Sequence, residues 1–195
     1  MKYKKRDFNK AIGSRPYKRK FIISTEGILT EPEYFKHLKK FNNGIHILLA
    51  GGKGSSPNQV LKHMKNKLDE DDFKSSDEAW LVVDKDQWTE KQLNELIQWT
   101  KKKTNYFLAL SNPKFEYWLL LHFEGGGISS INNCIRRLKK YIPKYKSIDK
   151  RKYTLERIKD AVNRARNEDT PPCINWPRHF GRTTVYLLVD KIINT

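Results

Sequence analysis

Short apolar runs alternate with amphipathic stretches along the first two thirds of the chain. Each of four such runs is six residues long and rich in β-branched, aromatic or leucine residues, which is typical of a buried strand. The predicted strands are 20–25, 45–50, 79–84 and 105–110. The predicted helices are 31–41, with Thr30 as its N-cap, and 58–68, 89–103 and 114–123. This alternation predicts an α/β fold with a mostly parallel, four-stranded central sheet flanked by helices.

Composition divides the chain into three predicted segments. Residues 1–19 are basic and have little apolar periodicity, which favours a flexible arm. Residues 20–127 hold the predicted α/β domain, and three consecutive glycines mark its end. Residues 128–195 are expected to form a basic helical extension packed on that domain. Its predicted elements are helices over 128–142 and 150–167, a Pro-rich loop over 171–181, and a closing helix over 183–193 capped by Thr183.

The formal charge of +17 is concentrated at the two ends of the chain. Residues 1–20 carry nine Lys and Arg against one Asp, and residues 128–195 carry 16 against six acids. Residues 21–127 are nearly balanced, with 14 basic and 15 acidic side chains. Basic arms around a balanced centre favour a polyanionic partner, and nucleic acid, either DNA or RNA, is the usual one.

Several classes of protein do not fit this composition. No apolar run approaches the roughly 18 residues that a membrane span needs, and the basic N-terminus lacks the apolar segment of a secretory signal. The two cysteines, Cys134 and Cys173, form neither a disulfide framework nor a zinc motif. We therefore expect a cytoplasmic protein without a membrane partner.

Four carboxylates follow the predicted strands or begin the helix after them. Glu26 follows the first strand, Asp84 and Asp86 end the third, and Glu116 lies just beyond the fourth. Because parallel strands end at one edge of a sheet, these side chains are expected to converge there. Carboxylates this close repel one another unless a cation neutralises them, and their hard oxygens suit Mg²⁺ or Mn²⁺. The alternative is that Glu26 and Asp84 are helix N-caps, Asp86 is a solvated turn residue and Glu116 is bonded to backbone N–H groups near Asn112. Glu31 is expected to support the start of its helix through the helix dipole, with a metal role as the other possibility.

The motifs around these acids resemble two known families. Glu26-Gly27 with Asp84-x-Asp86 resembles the Toprim signature, although Gln87-Trp88 stands where Toprim proteins often have glycine. From about residue 18 to the C-terminus the chain is still more similar to RloB-like proteins. The motifs that carry this second resemblance are SerThrGluGly (24–27), ThrGluProGluTyrPhe (30–35), ValValAspLysAsp (82–86), the long segment 111–123 and ThrThrValTyrLeuLeuVal (183–189).

The two resemblances imply a fold and a function. They imply a Toprim/Rossmann-like domain that performs a divalent-metal-dependent phosphodiester reaction, with Asp84 and Asp86 holding the metal and Glu26 acting as acid, base or further ligand. They also imply a role in bacterial phage defence, often beside an ABC-type ATPase. The rival hypothesis is a non-catalytic nucleic-acid-binding or regulatory subunit of a defence complex. A nucleotidyl-transfer enzyme ranks last, because no triphosphate-binding loop is present.

Candidate nucleic-acid contacts fall in three places. Lys53 lies in the glycine-rich loop 51–57, whose backbone N–H groups could hold a phosphate. Arg178 and Arg182 flank the last loop and would reach the sheet edge if that loop folds back. The densest basic stretch supplies Arg136, Arg137, Lys139, Lys140, Arg151 and Lys152, interleaved with Tyr141, Tyr145 and Tyr153. Aromatics among cations suit base stacking, but a solvated helix face with inward tyrosines has the same pattern.

Overall fold

The computed structural model describes residues 17–51, 56–86 and 88–195. The predicted arm therefore lies almost wholly outside the described residues, as does Lys53. The strands are β1 (Arg19–Thr25), β2 (Ile45–Ala50), β3 (Glu78–Asp84), β4 (Tyr106–Asn112) and β5 (Arg182–Thr183). The α-helices are α1 (Thr30–Leu38), α2 (Pro57–Glu70), α3 (Glu90–Thr100), α4 (Phe115–Leu120), α5 (Ile131–Tyr141), α6 (Leu155–Glu168) and α7 (Val185–Asn194).

The sheet has five strands in the order β2-β1-β3-β4-β5. The first four are parallel, as the alternating pattern predicts, and β5 pairs antiparallel with β4. The expectation of four strands was therefore wrong by one. A two-residue strand has no apolar run of its own, and only its pairing with Ser111 and Asn112 creates it.

Both faces of the sheet are buried, which explains the continuous apolar runs in its strands. Along β1, Phe21 and Ile23 face one core and Ile22 faces the other, following the two-residue period of a strand. Helices α2 and α3 cover the second core, while α1, α4, α5, α6 and α7 cover the first. Segment 128–195 thus adds α5, α6 and α7 to the core that α1 and α4 cover, and it adds β5 to the edge of the sheet.

Local signals set several helix ends. Thr89 forms a capping box with Gln92 at the start of α3, and Ser56 caps α2 with Pro57 in the first helical position. The expected caps at Thr30 and Thr183 were misplaced. Thr30 lies inside α1 and donates to the carbonyl of Lys146, whereas Thr183 belongs to β5. Among the described helices, none is both long and apolar enough to cross a membrane.

Candidate active site at the carboxyl edge of the sheet

The structure brings Glu26 and Asp84 side by side. Strands β1 and β3 are parallel neighbours, and the chain beyond β1 stays close to β3 because the Glu26 N–H donates to the carbonyl of Val82 at 3.0 Å. The Oε2 atom of Glu26 then accepts the backbone N–H of Asp84 at 3.1 Å. The two carboxylates that follow the first and third strands therefore meet where the sequence places them.

Burial changes the acidity of both groups. It raises the pKa of Glu26 to about 7, against the opposing effect of its hydrogen bonds from Asp84 and Trp88. Burial also raises the pKa of Asp84 well above its usual range, and the charges of Glu31, Glu26 and Glu116 raise it further. Among the described residues, no hydrogen bond reaches the Asp84 carboxylate. The site is thus a group of mutually repelling acids in a partly dehydrated environment.

Glu31 belongs to this group, although the sequence favours support for the start of a helix over a metal role. Its side chain is 8% exposed, and its Oε1 atom accepts the backbone N–H of Gly27 at 3.1 Å. A Cβ atom on residue 27 would lie 1.9 Å from the Oε2 atom of Glu31. Gly27 is therefore the residue that makes room for the Glu31 carboxylate, which explains why glycine follows Glu26.

Asp86 and Glu116 occupy the outer side of the group. Asp86 has a φ of 26°, and its carboxylate accepts from the Lys114 ammonium at 2.9 Å. This hydrogen bond raises the pKa of Lys114. Glu116 lies in the first turn of α4, close enough for its charge to raise the pKa of Asp84 and Glu31. The sequence does not single out Lys114, because its pairing with Asp86 exists only once the strand ends are side by side.

The carboxylate oxygens at this edge are ligands that suit a hard cation, but two of the carboxylates are already paired with other side chains. Within residues 17–51, 56–86 and 88–195, no group of three or more His, Cys, Asp or Glu side chains is arranged to hold a metal. Glu26 is occupied by Trp88, whose indole N–H donates to its Oε1 atom at 3.0 Å, and Asp86 is occupied by Lys114. The Asp84 carboxylate accepts no hydrogen bond among the described residues, and it fits the pattern in which Mg²⁺ takes one or two protein carboxylates and completes its shell with water or phosphate.

The last loop folds back towards the carboxyl end of the sheet. The predicted role of Arg178 and Arg182 in phosphate binding depends on this arrangement. The side-chain amide of Asn112, at the end of β4, donates to the carbonyls of Pro177 and Arg178. Arg178 donates to Glu90 at 2.8 Å, where α3 begins. Arg182 lies in β5, paired with Asn112. Both arginines therefore belong to a segment that is held at the carboxyl end of β4, the strand next to Asp84.

The basic residues of α5 and the following loop separate into two kinds. Exposed side chains are those of Arg136, Lys139, Lys140, Arg151 and Lys152. Arg137 instead donates to Glu124 and to the carbonyls of Gly125, Gly126 and Gly127. Its guanidinium closes the glycine turn, so we leave it out of the proposed nucleic-acid surface.

The interleaved tyrosines pack inward, as the alternative interpretation holds. Tyr153 is fully buried. Tyr141 stacks on Phe123 with ring centres 5.0 Å apart, and Tyr145 packs against the core. The His122 ring is also buried, as expected of a core histidine, with Tyr34 and the carbonyl of Trp118 as its partners. These aromatic rings stabilise the fold and leave the neighbouring cations facing solvent.

The fold and this edge define an α/β protein with a group of largely half-buried carboxylates at the carboxyl end of its parallel strands. A family model described as RloB-like protein matches residues 21–192. The match covers nearly the whole chain, and the chain belongs to the RloB-like family. No curated protein and no solved structure matches the chain. The Toprim likeness rests on the sequence motifs alone.

Proposed function

We propose that this protein is a Toprim-type nuclease that depends on a divalent metal and serves as an effector in phage defence. One observation carries the proposal. Glu26 and Asp84 lie side by side at the carboxyl edge of the sheet, and burial raises the pKa of each, with Glu31 and Glu116 close by. Perturbed acids at a strand-end edge are typical of catalytic sites. Membership of the RloB-like family suggests a protein related to phage defence.

Electrostatics favours a cation at this edge. The charges of neighbouring carboxylates add to the effect of burial and raise the pKa of Glu26, Asp84 and Glu31, and a divalent ion would offset this repulsion. Asp84 and Asp86 would hold Mg²⁺ or Mn²⁺, with Glu116 and Glu26 as further ligands. When bound, such an ion polarises a phosphoryl oxygen and makes a water molecule more acidic. Asp86 is available for this role only when it leaves Lys114, which could then contact the phosphate.

Glu26 is suited to proton transfer. With a pKa of about 7, its carboxyl group is divided between the protonated and ionised forms at neutral pH. A group with a pKa near the working pH can both accept and return a proton. The N–H groups of Asp84 and Trp88 hold both of its oxygens in place. Glu26 would therefore act as the acid or base of the reaction.

The basic surface would hold the substrate strand. Arg178 and Arg182, held near the carboxyl end of β4, would contact the phosphates. The exposed Arg136, Lys139, Lys140, Arg151 and Lys152 would extend the positive surface along α5 and the loop after it. Their contribution is expected to depend on salt concentration, because phosphate contacts release counterions. Lys53 would add a contact from the glycine-rich loop. We also propose a cytoplasmic location and an ABC-type ATPase partner, following the resemblance to RloB-like proteins.

The second candidate function is a non-catalytic nucleic-acid-binding or regulatory subunit. Two contacts favour it: Trp88 occupies one oxygen of Glu26, and Lys114 neutralises Asp86. In this alternative the hydrogen bonds and the ion pair are permanent features of the edge. The basic surface would then carry the whole function.

A cleavage assay separates the two candidates. Plasmid DNA, single-stranded DNA and structured RNA are incubated with the purified protein in Mg²⁺, Mn²⁺ or chelator. Asp84→Asn is the test variant, and Glu95→Gln, an exposed acid on α3, is its control. We expect cleavage that needs metal, is lost in Asp84→Asn and is retained in Glu95→Gln. Salt-sensitive binding without cleavage of any substrate, with or without an added ATPase partner, would support the binding subunit.

A further inference from the structure

A cavity of about 630 Å³ opens in the loop between α6 and β5. Its volume falls within the roughly 300–1,000 Å³ of sites that enclose small organic ligands. Flat or branched apolar side chains from Pro171, Pro172 and Ile174 form part of its lining, and Arg178 and Arg182 supply positive charge. The lining therefore combines an apolar surface with cations, and its two acids, Glu168 and Asp169, already accept hydrogen bonds from the protein.

The loop that forms the cavity is anchored at both ends. Asp169, only 6% exposed, accepts the backbone N–H of Cys173 and the hydroxyl of Tyr186, both at 3.0 Å. At the other end, the N–H of Gly181 donates to the Asn112 carbonyl at 2.8 Å, and the Asn112 amide donates back to the loop. These buried polar contacts hold the cavity in a defined shape.

The cavity adjoins the candidate site through Trp176. This buried side chain lines the cavity, and its indole N–H has no hydrogen-bond partner among the described residues. The Arg178 guanidinium lies over its ring at 3.9 Å, and the Lys85 ammonium lies 6.0 Å from the ring centre. The loop is also bonded to Asn112, which follows Ser111, the partner of Asp84 in the sheet. A ligand in the cavity would therefore lie near the carboxyl end of β4, one strand from Asp84.

We propose that this cavity takes one unpaired nucleotide of the substrate strand. A nucleotide combines a flat base with an anionic phosphate, which matches the apolar lining and the two arginines. The adjacent phosphodiester would then reach the carboxylate edge. The identity of the ligand rests on the proposed nuclease function, but binding to the cavity needs no cleavage.

Binding measured in chelator tests this inference without the reaction. Fluorescein-labelled duplexes of DNA and of RNA, each fully paired or with a single bulged nucleotide, are titrated with protein and followed by anisotropy. A base contact is worth about 1–3 kcal/mol, so we expect the bulged duplex to bind about fivefold or more tightly than the paired one in at least one of the two nucleic acids. Equal affinities for bulged and paired duplexes in both would overturn the proposal.

Three variants locate the preference. Ile174 is 82% exposed, so Ile174→Ser removes apolar lining without affecting the core, and Arg182→Gln removes a cation while keeping β5. Both should bring the ratio of affinities close to one. Phe180→Ser, in the same loop but outside the lining, is the control and should keep the ratio. If both test variants still bind the bulged duplex more tightly than the paired one, the bulged nucleotide binds at another surface and the proposal is wrong.

A competition experiment identifies the source of the nucleotide. Adenosine, cytidine, guanosine and uridine monophosphates, and inorganic phosphate, are each added to the bulged complex. Displacement by a mononucleotide at lower concentration than by phosphate supports recognition of the base together with its phosphate. Mononucleotides that bind as tightly as the bulged strand would make a free nucleotide the ligand and would contradict the assignment to the strand. If cleavage is never observed but the bulge preference holds, the nuclease proposal fails and the cavity assignment stands.

Discussion

The indole N–H of Trp88 donates to the Oε1 atom of Glu26 at 3.0 Å. Trp88 follows Asp84-x-Asp86 at the point where Toprim proteins often have glycine, and its side chain contacts the acid that we assign to proton transfer. A hydrogen bond to a carboxylate stabilises the ionised form and lowers its pKa. Trp88 therefore opposes the effect of burial on Glu26.

Replacing Trp88 should make Glu26 a weaker acid. In Trp88→Phe the hydrogen bond is lost, and we expect the pKa of Glu26 to rise above its value of about 7. Carboxyl-detected NMR titration measures this shift directly. If Glu26 acts as the base, the rising limb of the cleavage rate against pH moves to higher pH by the same amount. Trp99→Phe, which changes a ring stacked on Tyr106, is the control and should leave the titration unchanged.

Gly27→Ala tests the position of Glu31. A Cβ atom at residue 27 would overlap the Glu31 carboxylate, which must then move away from Asp84 and Glu26. Misplacing a group in a catalytic site by about 1 Å can cost about 100-fold in rate, and we expect a loss of that order in the cleavage assay. Gly125→Ala, whose Cβ would meet nothing within 4 Å, should retain activity. Wild-type rates in Gly27→Ala would remove Glu31 from the site.

Two adjacent arginines on α5 should behave differently. Arg137→Gln breaks the ion pair with Glu124 and the bonds to the glycine turn, and we expect it to lower the free energy of unfolding by about 1–3 kcal/mol. Arg136→Gln changes an exposed cation and should leave stability unaltered. It should instead reduce the slope of log affinity against log salt by about 0.9 if Arg136 contacts a DNA phosphate. Urea unfolding and salt-dependent binding are measured for both variants. A loss of stability in Arg136→Gln, with unchanged stability in Arg137→Gln, would contradict the prediction.

His122 should make the protein sensitive to acid. Burial keeps the His122 ring neutral, and the neutral tautomer that fits its partners donates from Nδ1 to the carbonyl of Trp118 and accepts at Nε2 from the hydroxyl of Tyr34. Burial lowers its pKa from 6.5 to about 3, so the unfolded chain gains a proton first as the pH falls. The stability that the neutral ring provides is complete above pH 6.5 and is lost towards pH 3, at about 1.4 kcal/mol per pH unit.

Unfolding measured between pH 7 and pH 5 tests this dependence. In His122→Gln the slope of the unfolding free energy against pH should be smaller than in the wild type, whatever the absolute stability of the variant. His46→Gln, which changes an exposed side chain on β2, should keep the wild-type slope. Equal slopes in all three proteins would show that another group causes the acid sensitivity.

Much of the fold and part of the candidate site could be predicted from local patterns. The runs at 45–50 and 79–84 predict strands whose ends agree with the structure to within a residue. The meeting of Glu26 and Asp84 follows from the rule that parallel strands end at one edge. The sequence does not predict the main role of Glu31. Its position in the first turn of α1 suggests an interaction with the helix dipole, whereas in the structure its carboxylate accepts the N–H of Gly27 and lies in the candidate site.

The sequence by itself determined the α/β class, the parallel strands and the residues at their ends, because two-residue and 3.6-residue periods are local properties of the chain. Only the tertiary structure decided the rest. It created β5 by pairing, brought Lys114 to Asp86, directed Arg137 inward and folded the cavity loop onto Asn112. Each of these depends on contacts between residues that are far apart in the chain or on the direction of a side chain, and neither follows from hydrophobic period or charge.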